Sequence, residues 1–174
     1  MSDKHLSSQF DSELHSVSTR VMELGGLVES QLLNAIYALT HFSDETADRV
    51  IQTEDRVDSM EVEIDHDLSS IIARRQPTAR DLRLLIAISK TTANLERVGD
   101  EAEKIARMVK SIIRSGSARA LPSSELRIAA GQASTLLRKA LDAFARLDVD
   151  AAVSIIRDDD EIDREFDGFV RKLI

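Results

Sequence analysis

The chain has 174 residues, of which 43% are hydrophobic, 31% charged and 3% aromatic, and 31 acidic against 23 basic residues give a formal net charge of −8. That apolar content is too high for a disordered chain, and the lack of Trp, the single Tyr and only two prolines remove what a β-sandwich needs, so helices must dominate. Without cysteine there is no disulfide framework, thiolate metal site or cysteine nucleophile; the acidic balance disfavours nucleic acid and anionic lipid; and with no signal peptide or ~20-residue apolar span, the sequence reads as cytoplasmic and not inserted in a membrane.

Apolar residues from Phe10 to Phe42 recur at steps of four and three through Leu14, Val17, Val21, Leu24, Val28, Leu32, Ala35 and Leu39, which predicts one long amphipathic helix of roughly 50 Å. Gly25 and Gly26 interrupt the stripe, each at a cost of about 1 kcal/mol relative to Ala, for which close helix packing or a bend would be the reason. Ser43 and Asp44 are capping residues that separate it from a second helix carrying Ala47, Val50, Val57, Ile64, Leu68 and Ile71 and ending at Arg74-Arg75-Gln76. Pro77 suits the first turn of a helix, so a third is predicted to open there and to run through Leu84, Ile88, Leu95, Val98, Ala102, Ile105, Val109 and Ile112. Ser115-Gly116-Ser117 to Leu121-Pro122-Ser123 reads as a linker. Beyond it a fourth helix shows Leu126, Ala130, Ala133, Leu137, Ala140, Phe144 and Leu147, and a fifth shows Ala152, Ile155, Ile162, Phe166, Val170 and Leu173.

A shift of 105 residues superposes Leu32 on Leu137, Ala35 on Ala140, Ala38 on Ala143, Ala47 on Ala152, Asp55 on Asp160, Asp58 on Asp163 and Leu68 on Leu173. This is an internal repeat of a helical unit. The same shift would place a copy of helix three at positions 182–217, past Ile174. The expected organisation is therefore all-α: a three-helix bundle over 1–115, a linker over 116–123, and over 124–174 a second bundle of the same kind lacking its third helix.

The second helix carries Glu54, Asp58, Glu61 and Asp65 at steps of four, three and four, a stripe of like charge that weakens an isolated helix. Helix three carries Glu96 and Asp100. If the two helices run antiparallel about Pro77, Glu54 lies level with Asp100 and Asp58 level with Glu96. Four carboxylates at matched heights suit a hard cation with oxygen ligands, such as magnesium, calcium, manganese or iron; a solvated acidic face is the alternative. Asp159 and Asp163 repeat the first half of this arrangement on helix five. Glu63 and His66 match the Glu-x-x-His element of di-iron bundles, although that site uses two and only one occurs, against which stands a plain surface histidine. Arg74, Arg75, Arg80 and Arg83 gather around Pro77 and could meet an anion or an acidic partner, or serve the helix end. No glycine-rich phosphate loop and no Ser/His/Asp arrangement is present, so no catalytic residues are expected.

The run Ile72-Ala73-Arg74-Arg75-Gln76-Pro77-Thr78-Ala79-Arg80-Asp81-Leu82-Arg83, then Leu95-Glu96-Arg97-Val98-Gly99-Asp100 and Ile105-Ala106, with Gly25-Gly26-Leu27-Val28-Glu29 in helix one, strongly resembles the PhoU family of phosphate-transport accessory and signalling proteins. The resemblance implies tandem three-helix bundles in a cytoplasmic homo-oligomer. It also implies a negative regulator of phosphate uptake and phosphate-starvation signalling, an adaptor between the phosphate ABC transporter, through its ATPase subunit, and a membrane sensor histidine kinase. The family's acidic-x-x-x-Asp motifs fall here on Glu54 with Asp58, Glu96 with Asp100, and Asp159 with Asp163, which implies binding of a divalent or trivalent metal ion (iron, magnesium, manganese or zinc). A ferritin-like iron store or di-iron enzyme, and a purely structural helical scaffold, are the competing readings.

Overall fold

The structure, a computed structural model, describes the backbone of residues 2–116 and 123–173, and within these every side chain except those of residues 2–7, 123–126, 165, 169–170 and 172–173. The side chains of Leu126, Val170 and Leu173, and the linker between Gly116 and Ser123, lie outside the described residues. Those residues form five α-helices: α1 (Ser2–His41), α2 (Asp44–Arg75), α3 (Ala79–Ser115), α4 (Ser123–Arg146) and α5 (Val149–Leu173). The all-α expectation and the chain order of the helices hold.

The turns explain where the boundaries move. Helix α3 opens at Ala79, two residues after Pro77. The chain leaves α2 through Gln76 at φ 48°, in the left-handed region, with its N–H on the Ile72 carbonyl at 3.2 Å. That leaves Pro77 outside both helices. Thr78 becomes the cap: its carbonyl accepts the Leu82 N–H at 2.8 Å, and its hydroxyl donates to Asp81 Oδ2 at 2.8 Å.

The 105-residue repeat is written into the backbone as well as the side chains. Phe42 at φ 51° and Leu147 at φ 52° occupy equivalent positions just past α1 and α4. At each, the next N–H reaches back to close the helix, Ser43 to the Ala38 carbonyl at 3.1 Å and Asp148 to the Ala143 carbonyl at 2.9 Å, the bond of a Schellman motif. Each of these residues then caps the following helix: Ser43 Oγ accepts the Thr46 N–H at 3.2 Å, and Asp148 Oδ1 accepts the Ala151 N–H at 2.9 Å. The left-handed residue is not glycine in either copy, so each turn works against the steric preference of a Cβ.

Contacts divide the chain into two compact units, Met1–Val28 with Gln52–Glu101, and Glu29–Ile51 with Ala102–Ile174. The first unit is filled by three buried stripes: Val17, Val21, Leu24 and Val28 of α1; Val57, Ile64, Leu68 and Ile71 of α2; and Leu85, Ile88 and Leu95 of α3. Each such side chain contributes about 1.5–3 kcal/mol when fully buried. Arg20 pairs with Glu63 and Asp67, tying α1 to α2, and Arg75 grips both oxygens of Glu13 at 3.0 and 2.8 Å. The second unit has a core of small residues, Ala35, Ala38, Ala47, Val50, Ala102, Ala106 and Val109, which lets helix backbones approach closely. At its side Lys110 pairs with Asp48 and, at 3.3 Å, with Asp44.

Helix α1 runs through both glycines. Gly25 is buried, whereas Gly26 is exposed and a Cβ built there would meet nothing within 4 Å. Close packing is therefore not the reason for glycine at position 26.

Candidate functional site

The acidic side chains follow from how α2 and α3 present their core stripes. On α2, Val57 and Ile64 point inward, so Asp58 and Glu61, one residue past the first and three before the second, emerge at the edge of the buried arc. On α3, Leu95 is buried and Glu96 and Asp100 emerge beside it, both half-buried. Glu61 is half-buried too, and Asp58 is exposed.

Three of these carboxylates act on the fourth, Glu96. The carboxyl of Glu96 holds its proton above the ordinary range, first because it is partly desolvated and then because Asp100, Glu61 and Asp58 lie close enough to repel its charge; Arg97 only partly offsets them. The spacing argument sets Asp58 level with Glu96 and Glu54 level with Asp100; the Asp58 charge is among those that act on Glu96. The structure also adds Glu61, which that argument left out of the site although it belongs to the same α2 stripe.

The remaining sequence candidates lie elsewhere. Glu54 is buried, 5% exposed, in the α2 core stripe between Val50 and Val57. Asp159 and Asp163 are exposed on α5, in the second unit. Although Asp159 is the repeat equivalent of Glu54, one is in water and the other in the core. Asp163 lies at the rim of an apolar groove of about 420 Å³, lined among others by Leu32, Ile36, Ile105, Met108 and Phe166. Among the described residues, no three His, Asp or Glu side chains are gathered as a direct metal site requires.

Two weaker candidates resolve on geometry. Glu63 is engaged by Arg20 and the His66 side chain is 83% exposed, so their Glu-x-x-His spacing is that of a surface histidine beside an ion pair. Of the arginines around Pro77, Arg75 is committed to Glu13 and Arg74 lies 3.8 Å from the same carboxylate. The Arg83 Nε donates to the Ala79 carbonyl at 3.1 Å, and Arg80 is exposed.

What this arrangement can do chemically is limited and specific. The side chains at the Asp58, Glu61, Glu96 and Asp100 edge offer carboxylate oxygens, and the raised proton affinity of Glu96 reflects its partial desolvation first and the neighbouring negative charges second. Such charges attract protons and cations alike. Carboxylate oxygen is the donor type that hard cations prefer.

The chain is matched by the family model described as the PhoU domain over residues 21–109 and 126–174. It is 47% identical over 175 residues to the phosphate-specific transport system accessory protein PhoU homolog of a Burkholderia species, spanning 100% of this chain and 74% of that one. To the phosphate-specific transport system accessory protein PhoU of Escherichia coli (strain K12) it is 46% identical over 173 residues, 99% of this chain and 70% of that protein. Its structure resembles the crystal structure of PhoU from Pseudomonas aeruginosa with a TM-score of 0.90 at 40% identity, covering 94% of this chain and 78% of that one. The chain therefore belongs to the PhoU family.

Proposed function

We propose that this chain is a cytoplasmic, non-catalytic negative regulator of phosphate uptake and of phosphate-starvation signalling. In this reading it self-associates, and its helical surfaces contact the ATPase subunit of a phosphate transporter and a membrane sensor histidine kinase. The observation that carries the reading is similarity along the whole chain to proteins named as accessories of the phosphate-specific transport system. No described helix is long and apolar enough to cross a membrane, which suits a protein that reaches a transporter from outside the bilayer.

Within this role the acidic edge of the first unit binds a divalent cation, with Asp58, Glu61, Glu96 and Asp100 holding it, in part through its own waters. The cation would supply positive charge between two helices that otherwise repel one another there. Magnesium is the ion whose chemistry fits best, because it retains several waters and is bound by few carboxylates. Glu54, buried in the core stripe of α2, and Asp159 and Asp163, exposed on α5, carry the same acidic motif outside this edge.

The test is a phosphate-starvation reporter in cells deprived of the protein and supplied with ample phosphate. The expected result is expression where intact cells are silent, restored to silence by the returned gene. A reporter that stays silent in the deprived cells overturns the regulatory reading.

A further inference from the structure

The outer face of α3 in the first unit carries a pattern that neither the core nor the acidic edge accounts for. Leu85, Ile88, Thr92 and Leu95 are buried, so a helix of 3.6 residues per turn aims Arg83, Lys90 and Arg97 directly away from them. All three are exposed, as is Arg80 one turn earlier. They recur at a step of seven residues, which sets them in one line with about 10 Å between neighbours. Every exposed residue of α3 from Ala79 to Arg97 is basic or uncharged, Ile86, Ala87 and Asn94 among them, until Glu101 ends the run.

Such a stripe stands out in a chain of net charge −8. Elsewhere in the first unit basic side chains are spent on carboxylates, Arg20 on Glu63 and Asp67 and Arg75 on Glu13. Among the described residues, Arg80, Arg83 and Lys90 are in no ion pair with a carboxylate, and the Arg83 Nε donates to a carbonyl of its own helix. Helices α1, α2 and α3 all contribute to the core of this unit, and the stripe faces away from that core. Its charge is therefore presented outward.

We propose that this stripe docks a helix of a partner protein that carries carboxylates at the same seven-residue step. The spacing selects the occupant. Cations about 10 Å apart cannot converge on a phosphate or another small anion, whose hydrogen-bond contacts lie within about 3 Å, so the ligand is extended. A second α-helix has the same rise of about 1.5 Å per residue, so its carboxylates meet Arg83, Lys90 and Arg97 one by one. Ala87 and Asn94, the short side chains between those cations, let the two helices approach to about 8–10 Å. A bilayer or a nucleic acid fits the charge less well, because either would also meet Asp55, Asp58 and Asp65, exposed on the adjoining α2, where Asp65 lies 3.5 Å from Ser89 of α3. The proposal rests on the regulatory reading above and names the surface through which the regulator holds a partner.

The experiment returns the chain, as wild type or as R83E/K90E, to phosphate-starvation reporter cells deprived of it. Both positions lie outside the acidic edge, and circular dichroism with thermal unfolding of the purified proteins checks the fold. The wild type is expected to silence the reporter, R83E/K90E to lose that silencing with helix content and Tm unchanged, and R83K, which keeps the charge, to silence as the wild type does. R83Q/K90Q, which removes charge without adding any, is expected to lose silencing in the same direction. Folded variants that silence like the wild type overturn the stripe, whereas a wild type that fails to silence overturns the regulatory reading itself. Suppressors of R83E/K90E are then selected. They are expected to exchange glutamate or aspartate for lysine on one helix of one partner protein, at positions seven residues apart, and suppressors that fall on no acidic residue contradict the acidic helix. The wild type is expected not to co-sediment with vesicles of anionic phosphatidylglycerol; vesicle binding that R83E/K90E abolishes makes the occupant a bilayer and overturns the proposal.

Discussion

Replacing Glu96 by Gln removes one charge from the acidic edge and keeps the shape of the side chain. The folded protein holds this carboxyl above its ordinary value of 4.5, through partial burial first and then through Asp100, Glu61 and Asp58. An acid whose proton affinity rises on folding binds more protons in the folded state, so its contribution to stability falls as pH rises. The cost is relieved below about pH 4.5, grows as pH climbs through the raised folded value, and is complete above it. Like charges on neighbouring helix positions cost a few tenths of a kcal/mol per pair, and the side chain is only partly buried, so solvent screening keeps the total to about 1 kcal/mol or less. In a chain of this size about 1 kcal/mol corresponds to roughly 2–4 °C in Tm. Thermal unfolding of wild type and E96Q at low salt, with chelator present, from pH 4 to pH 8 is the assay. The variant is expected to be more stable at pH 8, and the gap should close towards pH 4.5. A variant less stable at pH 8, or a gap independent of pH, would refute the account of the acidic edge.

Other changes test the packing. G26A is expected to raise stability by about 0.5–1 kcal/mol, since the position is exposed in mid-helix and the added methyl group meets nothing; calorimetry would show it, and a loss would mean that something packs there. I64A removes a fully buried side chain from α2 and should cost about 2–5 kcal/mol in urea unfolding. S43A deletes the cap that accepts the Thr46 N–H and should cost about 1 kcal/mol in the same assay.

The fold was legible because its signals are local and redundant. Four-three apolar spacing predicted all five helices, and most of the stripe residues read on α1 to α3, such as Val21, Val28, Ile64, Ile88 and Val109, are buried. Helix ends were less legible. Pro77 satisfies the rule for a first helical position, yet the left-handed Gln76 closes α2 and passes the start of α3 to Thr78, a choice made by turn geometry that composition does not carry. The equivalence of Phe42 and Leu147 was visible only as alignment, because neither is a glycine or asparagine that announces a left-handed residue.

The acidic edge was half legible. Counting outward from Pro77 aligns residues along the helix axes, and it placed Asp58 by Glu96. It says nothing about rotation around the axes, which carries Glu54 into the core and brings Glu61 to the edge. Asp159 and Asp163 match in sequence but not in setting: their first-copy counterparts, Glu54 and Asp58, share a unit with the α3 carboxylates Glu96 and Asp100, whereas on α5 they stand exposed in the other unit.

Calorimetric titration of magnesium into the metal-free protein, run in parallel on a variant carrying D58N, E61Q, E96Q and D100N, tests most directly whether the acidic edge of α2 and α3 takes up a cation. The account predicts saturable binding to the wild type with release of protons near the raised titration of Glu96, and its loss in the variant while the helices remain folded. Binding that survives in the variant, or a wild type that takes up no cation, would contradict it.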